Sequence, residues 1–183
     1  MTATALEPAL LGFVRQRPMH AYEIHRALTQ NRALGMVWRL KQGQLYALLA
    51  HLEAEGYLAS RIEQQGSRPP RKMLYLTDSG RAVLARWLAE PVAHGREFRQ
   101  EFLAKLFFAR QAEDPTTLAT LLARQRATCR ARLDSLRAQA AAAREAYDQL
   151  VLAFRIGQLE QILVWLDTCE ATLTAPPDPR RGG

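Results

Sequence analysis

Residues 42–77 have the sequence QGQLYALLAHLEAEGYLASRIEQQGSRPPRKMLYLT, and this stretch decides the fold. In its first part leucines recur at three- and four-residue steps, which predicts an amphipathic helix from about Gln42 to Glu55. The leucines of this pattern are Leu45, Leu48, Leu49 and Leu52. Gly56 follows where the helix should end, because glycine accepts the left-handed conformation of a helix C-terminus.

The second part of the stretch predicts a β-hairpin. Residues 57–63 and 72–76 are short segments of the kind that forms strands, and a charged loop joins them. The loop places Arg68, Arg71 and Lys72 around the pair Pro69 and Pro70. So much charge cannot pack into a core, so the loop is either a solvated turn or a finger that contacts a negative partner.

The regions on either side complete a familiar order of elements. Apolar spacing predicts one helix before Pro18 and a second between Pro18 and about Asn31, while Thr77 is a suitable N-cap for a helix after the hairpin. Three helices followed by a β-hairpin and a fourth helix is the order of a winged helix-turn-helix. We therefore predict a mostly α fold with a small β-hairpin.

Residues 91–174 are predicted to be helical after a break near Pro91 and Gly95. Apolar stripes extend over residues 118–154 and 157–173, and so small a unit cannot bury them alone. We therefore expect an α-helical dimerisation domain that packs against a second chain, and a helical hairpin within one chain is the alternative. The predicted dimerisation residues are Leu122, Cys129, Leu133, Leu136, Leu150, Phe154, Leu159, Ile162, Leu163 and Leu166.

Charge and composition point to a nucleic-acid partner and a cytoplasmic location. The net charge is +7, and residues 1–90 hold 12 Lys and Arg against 7 Asp and Glu, a net charge of +5. A basic excess in one half of a chain favours binding to nucleic acid. Two isolated cysteines suit a reducing compartment, and no apolar run approaches the ~18 residues of a membrane span, so no membrane partner is expected.

The third predicted helix has the surface of a DNA-reading element. Opposite its leucines lie the small residues Gly43, Ala47, Ala50 and Ala54, which would let the helix approach the floor of the major groove. Recognition helices contact bases mainly from their N-terminal end. The candidate DNA-binding residues are Lys41, Gln42, Gln44, Tyr46 and His51 on this helix, Tyr22 on the helix before it, and Arg68, Arg71 and Lys72 of the hairpin. An ordinary surface helix with a solvated turn is the alternative.

Four motifs in series resemble those of the PadR family of bacterial transcriptional regulators. They are RPMHAYEIHRAL (residues 17–28), WRLKQGQLYALLAHLEAEGYL (38–58), PPRKMLYLTDSGR (69–81) and QEFLAKLFFA (100–109). The chain length and the segment WLD at residues 165–167 resemble the longer subfamily with a C-terminal, virulence-activator-like helical domain.

The resemblance implies a homodimer that binds a near-palindromic operator on double-stranded DNA, most often as a repressor, and that responds in several members to a small aromatic effector. It places the start of the recognition helix on residues 41–46 and the wing on 66–72. Residues 1–90 would be the DNA-binding domain, 91–174 the dimerisation domain and 175–183 a flexible tail. Gln44 and Ala47 differ from the family's usual residues, so the operator sequence cannot be carried over.

Other functions have less support. A MarR-like winged-helix regulator and a helical protein-interaction module that binds no DNA are the alternatives. No P-loop, dinucleotide-binding glycine pattern or nucleophile and base pair occurs, so we expect neither an enzyme nor a cofactor. His20, Glu23 and His25 lack the spacing of a helical zinc site, and no metal is predicted.

Overall fold

The computed structural model describes residues 7–65 and 68–173 of the chain, which fold into nine α-helical segments, one π-helical segment and a three-stranded sheet within those ranges. The elements in chain order are α1 (Glu7–Val14), β1 (Met19–His20), α2 (Ala21–Gln30), α3 (Arg32–Val37), α4 (Gln42–Ala54), β2 (Leu58–Gln65), β3 (Arg68–Leu76), α5 (Asp78–Ala89), α6 (Gly95–Glu97), a π-helical segment (Phe98–Phe102), α7 (Leu103–Ala109), α8 (Thr116–Ala142) and α9 (Ala146–Leu173). The predicted winged helix-turn-helix followed by helices is confirmed.

Helix α4 packs on the core through the face that the sequence predicts. Leu45, Leu49 and Leu52 are buried, and Leu48 is half-buried against the same cluster. The helix ends as expected, because Gly56 adopts a φ of +75°, a conformation that side chains with a Cβ rarely take.

Two elements of the first domain were not predicted. Helix α3 occupies the region where the second helix was expected to fade, and the side chain of Asn31 caps it by accepting from the backbone N–H of Leu34 at 3.0 Å. Strand β1 has only two residues and pairs with β3, with Met19 opposite Leu74. Both elements are too short to show a periodic pattern, so their tertiary partners determine them.

The hairpin is longer than predicted, and this corrects the position of its basic residues. Strands β2 and β3 pair in antiparallel register, with Ile62 opposite Lys72 and Glu63 opposite Arg71. Arg71 and Lys72 therefore lie within β3 and not in a loop at the tip. Strand β3 contains Pro69 and Pro70 near its outer end, where β1 does not pair with it and where its register with β2 is irregular. We call β2, β3 and their connection the wing.

The base of the wing is fastened to the start of α5. Thr77 caps α5 by accepting from the backbone N–H of Gly80 at 3.0 Å, and its own N–H donates to the carbonyl of Tyr57 at 3.2 Å. The hydroxyl of Ser79 donates to the carbonyl of Gly56 at 2.9 Å. A Cβ on Gly80 would lie 2.1 Å from the Tyr57 carbonyl oxygen, so only glycine fits at this closure.

Helices α8 and α9 form an antiparallel hairpin, so the predicted stripe over residues 118–154 is not one continuous helix. The chain breaks at Ala143, whose backbone is extended with φ −70° and ψ 127°. Ion pairs cross between the two helices from Arg126 to Asp167 at 3.0 Å and from Arg137 to Glu160 at 2.7 Å.

The hairpin also corrects the predicted dimerisation surface. Six of the predicted residues are buried inside their own chain: Leu122, Cys129, Leu133, Leu136, Leu159 and Leu166. They belong to the core of their own chain and present no free surface to a second chain, as in the helical-hairpin alternative. Ile162 and Leu163 are half-buried against the same core, whereas Leu150 and Phe154 are each 71% exposed.

A single apolar core connects the two domains. Phe13 of α1 meets Phe108 of α7 edge-on at a centroid distance of 5.0 Å, and Phe102 meets Trp165 of α9 at 5.9 Å. Trp38 is buried as well. Over the described ranges, no helix combines the length and the apolar character needed to cross a bilayer.

Candidate nucleic-acid interface

The outward face of α4 consists of small residues with longer polar side chains beside them. Gly43, Ala47, Ala50 and Ala54 are all exposed, and nothing lies within 4 Å of the position that a Cβ on Gly43 would take. The side chains of Gln44, Tyr46 and His51 are exposed along the flanks. This arrangement lets a flat or grooved partner come close to the backbone of the helix.

The N-terminal end of α4 carries exposed polar groups whose roles are partly local. Lys41 and Gln42 are exposed, as the prediction requires. The Oε1 atom of Gln44 accepts from the backbone N–H of Lys41 at 3.2 Å and so caps the helix. A bidentate pair with adenine uses both the oxygen and the nitrogen of a glutamine amide, so Gln44 would have to release this cap before it could make such a pair.

Two tyrosines and a histidine complete the predicted set on the helices. Tyr22, in the first turn of α2, is exposed, and its backbone N–H donates to Nδ1 of His20 at 3.0 Å. Tyr46 is exposed on α4. His51 lies toward the C-terminal end of α4, where its Nε2 is 3.8 Å from a carboxylate oxygen of Glu7 on α1. Tyr22 and Tyr46 are thus both exposed, whereas His51 lies close to α1.

Lys72 of the wing is bonded to α4 and is not directed away from the domain. Its Nζ is 2.6 Å from Oε2 of Glu53 on α4, and the hydroxyl of Ser60 donates to the other oxygen of that carboxylate at 2.5 Å. Hydrogen bonds from Lys72 and then Ser60 hold the pKa of Glu53 below its ordinary value. The three side chains therefore brace the wing against α4.

Of the other two predicted wing residues, the structure describes the side chain of Arg71 but not that of Arg68. Arg71 is exposed on β3, opposite Glu63. The connection at Gly66 and Ser67 and the side chain of Arg68 lie outside the described residues.

Two further arginines are exposed near the predicted residues and are not among them. Arg61 on β2 is exposed and its guanidinium carbon is 5.3 Å from the centre of the Tyr75 ring. Arg39 is exposed just before α4, where its Nε donates to the Gly35 carbonyl at 3.3 Å. The alternation of side chains along β2 and the position of Arg39 two residues before Lys41 are signals that could have identified them.

The histidines weighed as a zinc site in the sequence, and the two cysteines, have local structural roles. The side chain of Glu23 accepts from the backbone N–H of His20 at 3.0 Å, which together with the bond to Tyr22 forms a reciprocal cap on α2. Burial raises the pKa of Cys129, and it raises that of Cys169 to about 11, so both thiols stay protonated near neutral pH. Among the described residues, no three His, Cys, Asp or Glu side chains gather as a metal site would need.

The helices α1 to α4 precede a sheet whose hairpin forms a wing, and α4 faces outward with small side chains. This arrangement defines a winged helix-turn-helix protein. Residues 10–86 match the Transcriptional regulator PadR-like family, and residues 98–174 match the Virulence activator alpha C-term domain. The chain therefore carries a PadR-like family domain followed by a Virulence activator alpha C-term domain. The matched family is one of transcriptional regulators, and the match is PadR-like where the alternative was MarR-like.

Named relatives agree with this assignment. Negative transcriptional regulator PadR of Bacillus subtilis (strain 168) is 33% identical over 103 residues, which are 56% of this chain and 56% of the relative. Probable transcriptional regulator Rv1176c of Mycobacterium tuberculosis is 34% identical over 95 residues, 52% of this chain and 49% of the relative. The similarity thus spans about half the length of each relative.

Solved structures of similar chains include a crystal structure of Bacillus subtilis PadR in complex with operator DNA. It has 26% sequence identity and a TM-score of 0.46, over 92% of this chain and 98% of that chain. A crystal structure of the same relative in complex with p-coumaric acid has 24% identity and a TM-score of 0.43, over 93% and 99% of the two chains.

Proposed function

We propose that the chain is a dimeric transcriptional regulator that binds a near-palindromic operator on double-stranded DNA and represses transcription. The observation that carries the proposal is the outward face of α4, where Gly43, Ala47 and Ala50 are exposed and no large side chain covers the helix. A helix of this kind fits the major groove, whose edges carry the sequence information. We call α4 the recognition helix from here on.

Seven of the nine predicted DNA-binding residues have a role within this proposal. Lys41 and Gln42 face the groove from the N-terminal end of the recognition helix, where base contacts are usually made. Gln44 reads a base after releasing its cap. Tyr22 and Tyr46 donate their hydroxyls to phosphates, as does Arg71 from the wing through its guanidinium. Lys72 contributes mainly by bracing the wing, because Glu53 already holds its ammonium group.

Dimerisation is assigned to the first turns of α9. Tyr147, Leu150, Val151 and Phe154 are exposed large apolar residues at steps of three and four, so they form one continuous stripe. Such a stripe is a common mark of a protein interface. We propose residues 1–90 as the DNA-binding domain, 91–174 as the dimerisation domain and 175–183 as a tail.

We infer repression from the name of a relative, and an effector response from the family resemblance. The B. subtilis relative is a negative regulator by name, and we extend that sign of control to this chain. A small aromatic effector remains an expectation from the family resemblance, and no site is assigned to it. A regulator of this kind would act in the cytoplasm.

The proposal is tested with duplex DNA from the region upstream of the protein's own gene. Footprinting of the wild-type protein should find a protected near-palindrome that binds at least about a thousandfold more tightly than random duplex of equal length. Equal affinity for both duplexes at every salt concentration would reject the regulator and leave the helical interaction module as the function.

Direct readout by Gln44 has a separate test. Gln44→Ala should change the base preference at one position of each half-site and lower specific affinity by about 1–3 kcal/mol per altered contact. The matched control is Gln161→Ala, an exposed glutamine on α9. Equal losses on operator and random DNA would remove Gln44 from base recognition.

A further inference from the structure

The segment that connects the two domains, residues 89–94, has its main chain bonded to side chains of the C-terminal helices. The carbonyl groups accept from Arg124 at Ala89 (3.2 Å), from Lys105 at Glu90 (2.8 Å) and from Arg132 at Ala93 (2.6 Å). We call residues 89–94 and their side-chain partners the interdomain joint. A connecting segment usually bonds to water, and relative motion of the domains is then the default.

Gln125 is the centre of the interdomain joint. Its side chain is 0% exposed, and it bonds to both main-chain groups of Val92. The N–H of Val92 donates to Oε1 at 2.7 Å, and Nε2 donates to the Val92 carbonyl at 3.0 Å. Two opposed bonds from one planar amide fix the distance and the rotation of the segment relative to α8. Without them, two buried polar groups of Val92 would have no partner, which is strongly unfavourable.

Lys105 bonds to Glu90, two residues before Val92, through a buried ammonium group. Its side chain is 2% exposed, and its ammonium group lies 2.9 Å from Oε1 of Glu101 as well as near the Glu90 carbonyl. The ring of Trp87, in α5, lies 5.4 Å from the same nitrogen. A buried ammonium is stable only when its surroundings complete its bonds, so the last turn of α5 is held in place from α7.

We propose that Gln125 is a positioning residue that sets the separation of the two recognition helices in the dimer, and with it the half-site spacing that the protein accepts. The inference rests on the proposed function. The recognition helix belongs to the first domain and the apolar stripe of α9 to the second, so the angle between the domains determines where each copy of α4 meets DNA. Residues 89–94 are the covalent connection between them, and Gln125 fixes this segment against α8 in addition to the apolar core that both domains share.

The first measurement needs no DNA. Ala50→Cys and Ala141→Cys place spin labels on the exposed faces of α4 and α8, and dilution with unlabelled protein leaves one labelled chain per dimer. Cys129 and Cys169 are buried, and the parent protein without added cysteines reports their background labelling. Gln125→Met keeps the length of the side chain without its polar atoms. We expect a narrow distance distribution between the two labels when Gln125 is present, and a clearly broader one when the doubly labelled chain also carries Gln125→Met.

The second measurement uses the footprinted operator with its half-sites at native spacing, moved apart by one base pair, or reduced to one half-site. Coupling two half-sites through one rigid dimer should favour native spacing, and we expect Gln125→Met to reduce that preference by about tenfold or more while single half-site affinity is retained. Gln139→Met, an exposed glutamine on the same helix, is the matched control and should leave both readouts unchanged.

The outcomes separate the inference from the proposed function. An unchanged label distribution and spacing preference in Gln125→Met, or an equal change in Gln139→Met, would overturn the inference. If Gln125→Met fails to fold, Arg132→Met removes the exposed contacts of Arg132 with the Ala93 carbonyl and with Nδ1 of His94. It should give a smaller broadening, and no broadening there counts against the inference. If wild-type protein shows no operator preference, the proposed function and the spacing claim fail, while the label distances still decide whether Gln125 holds the domains together.

Discussion

The recognition helix α4 and the start of α9 both present an exposed face, but the side chains on the two faces are opposite in size. The face of α4 carries Gly43 and alanines, whereas that of α9 carries Leu150 and Phe154, each 71% exposed. A helix with small side chains gains little by burial in an apolar interface, but it lets a rigid polyanion approach its backbone. A helix with large apolar side chains gains from a partner that excludes water. The comparison supports the proposal that α4 contacts nucleic acid and α9 contacts a second chain.

The largest effect is expected on α9. Leu150→Asp combined with Phe154→Asp should weaken the dimer by at least about 4 kcal/mol, roughly a thousandfold, because charges would replace two central anchors. Sedimentation over a dilution series measures the dissociation constant. Ala131→Asp, an exposed position on α8, is the control. The double variant should stay folded, since both side chains are exposed in the single chain, and an unaltered dimer would refute the assignment of α9.

The corresponding change on α4 should affect DNA and leave the fold intact. Ala47→Glu places a long negative side chain where the groove floor is expected, and specific affinity should fall by about 3 kcal/mol, roughly a hundredfold. Unfolding free energy should change by less than about 0.5 kcal/mol, because the position is exposed. Gel shifts and chemical denaturation measure the two quantities. Ala138→Glu on α8 is the control, and tight operator binding by Ala47→Glu would mean that α4 does not enter the groove.

Smaller effects should distinguish two neighbouring basic residues of the wing. Arg71→Gln should flatten the plot of log K against log salt by about one unit per half-site, because one phosphate contact is lost. Lys72→Gln should change that slope less, since Glu53 binds the ammonium group at 2.6 Å. A salt titration of both variants decides the matter, and a larger slope change for Lys72→Gln would reverse the roles given to them.

The smallest expected effect is a dependence of stability on pH at the brace between α4 and the wing. The pKa of Glu53 is lowered in the folded protein, so its contribution is present above the unfolded pKa and is lost as pH falls through the folded one. Lys72 is half exposed, so the bond contributes about 0.5 kcal/mol. Denaturation of wild type and Lys72→Met should show a difference near pH 7 that shrinks on acidification. A difference that grows in acid would contradict this account.

Patterns that repeat along one element were predictable from the sequence. The leucines of α4, the N-cap at Thr77 and the glycine turn at Gly56 each depend on local rules, and the structure confirms all three. Strand β1 depends on a partner more than fifty residues away, so no local pattern announces it. The hairpin of α8 and α9 was also ambiguous, because an apolar stripe shows that a helix buries one face without showing against which chain.

The interdomain joint shows where a signal was present and was overlooked. Gln125 lies between Leu122 and Cys129 at the three- and four-residue steps of a buried stripe, although its side chain is polar. A polar residue in a core position predicts a specific buried partner. The sequence does not show that the partner is the main chain of Val92, because that contact arises from the arrangement of two domains.

The closure beneath the wing has a consequence for how its outer end can vary. Thr77, Ser79 and Gly80 join both ends of the hairpin at its base, far from the connection between β2 and β3. Because these bonds hold the base of the hairpin, changes at its outer end should leave the base intact. On the proposed function, new contacts to DNA could be grafted onto the outer part of the wing without altering its base.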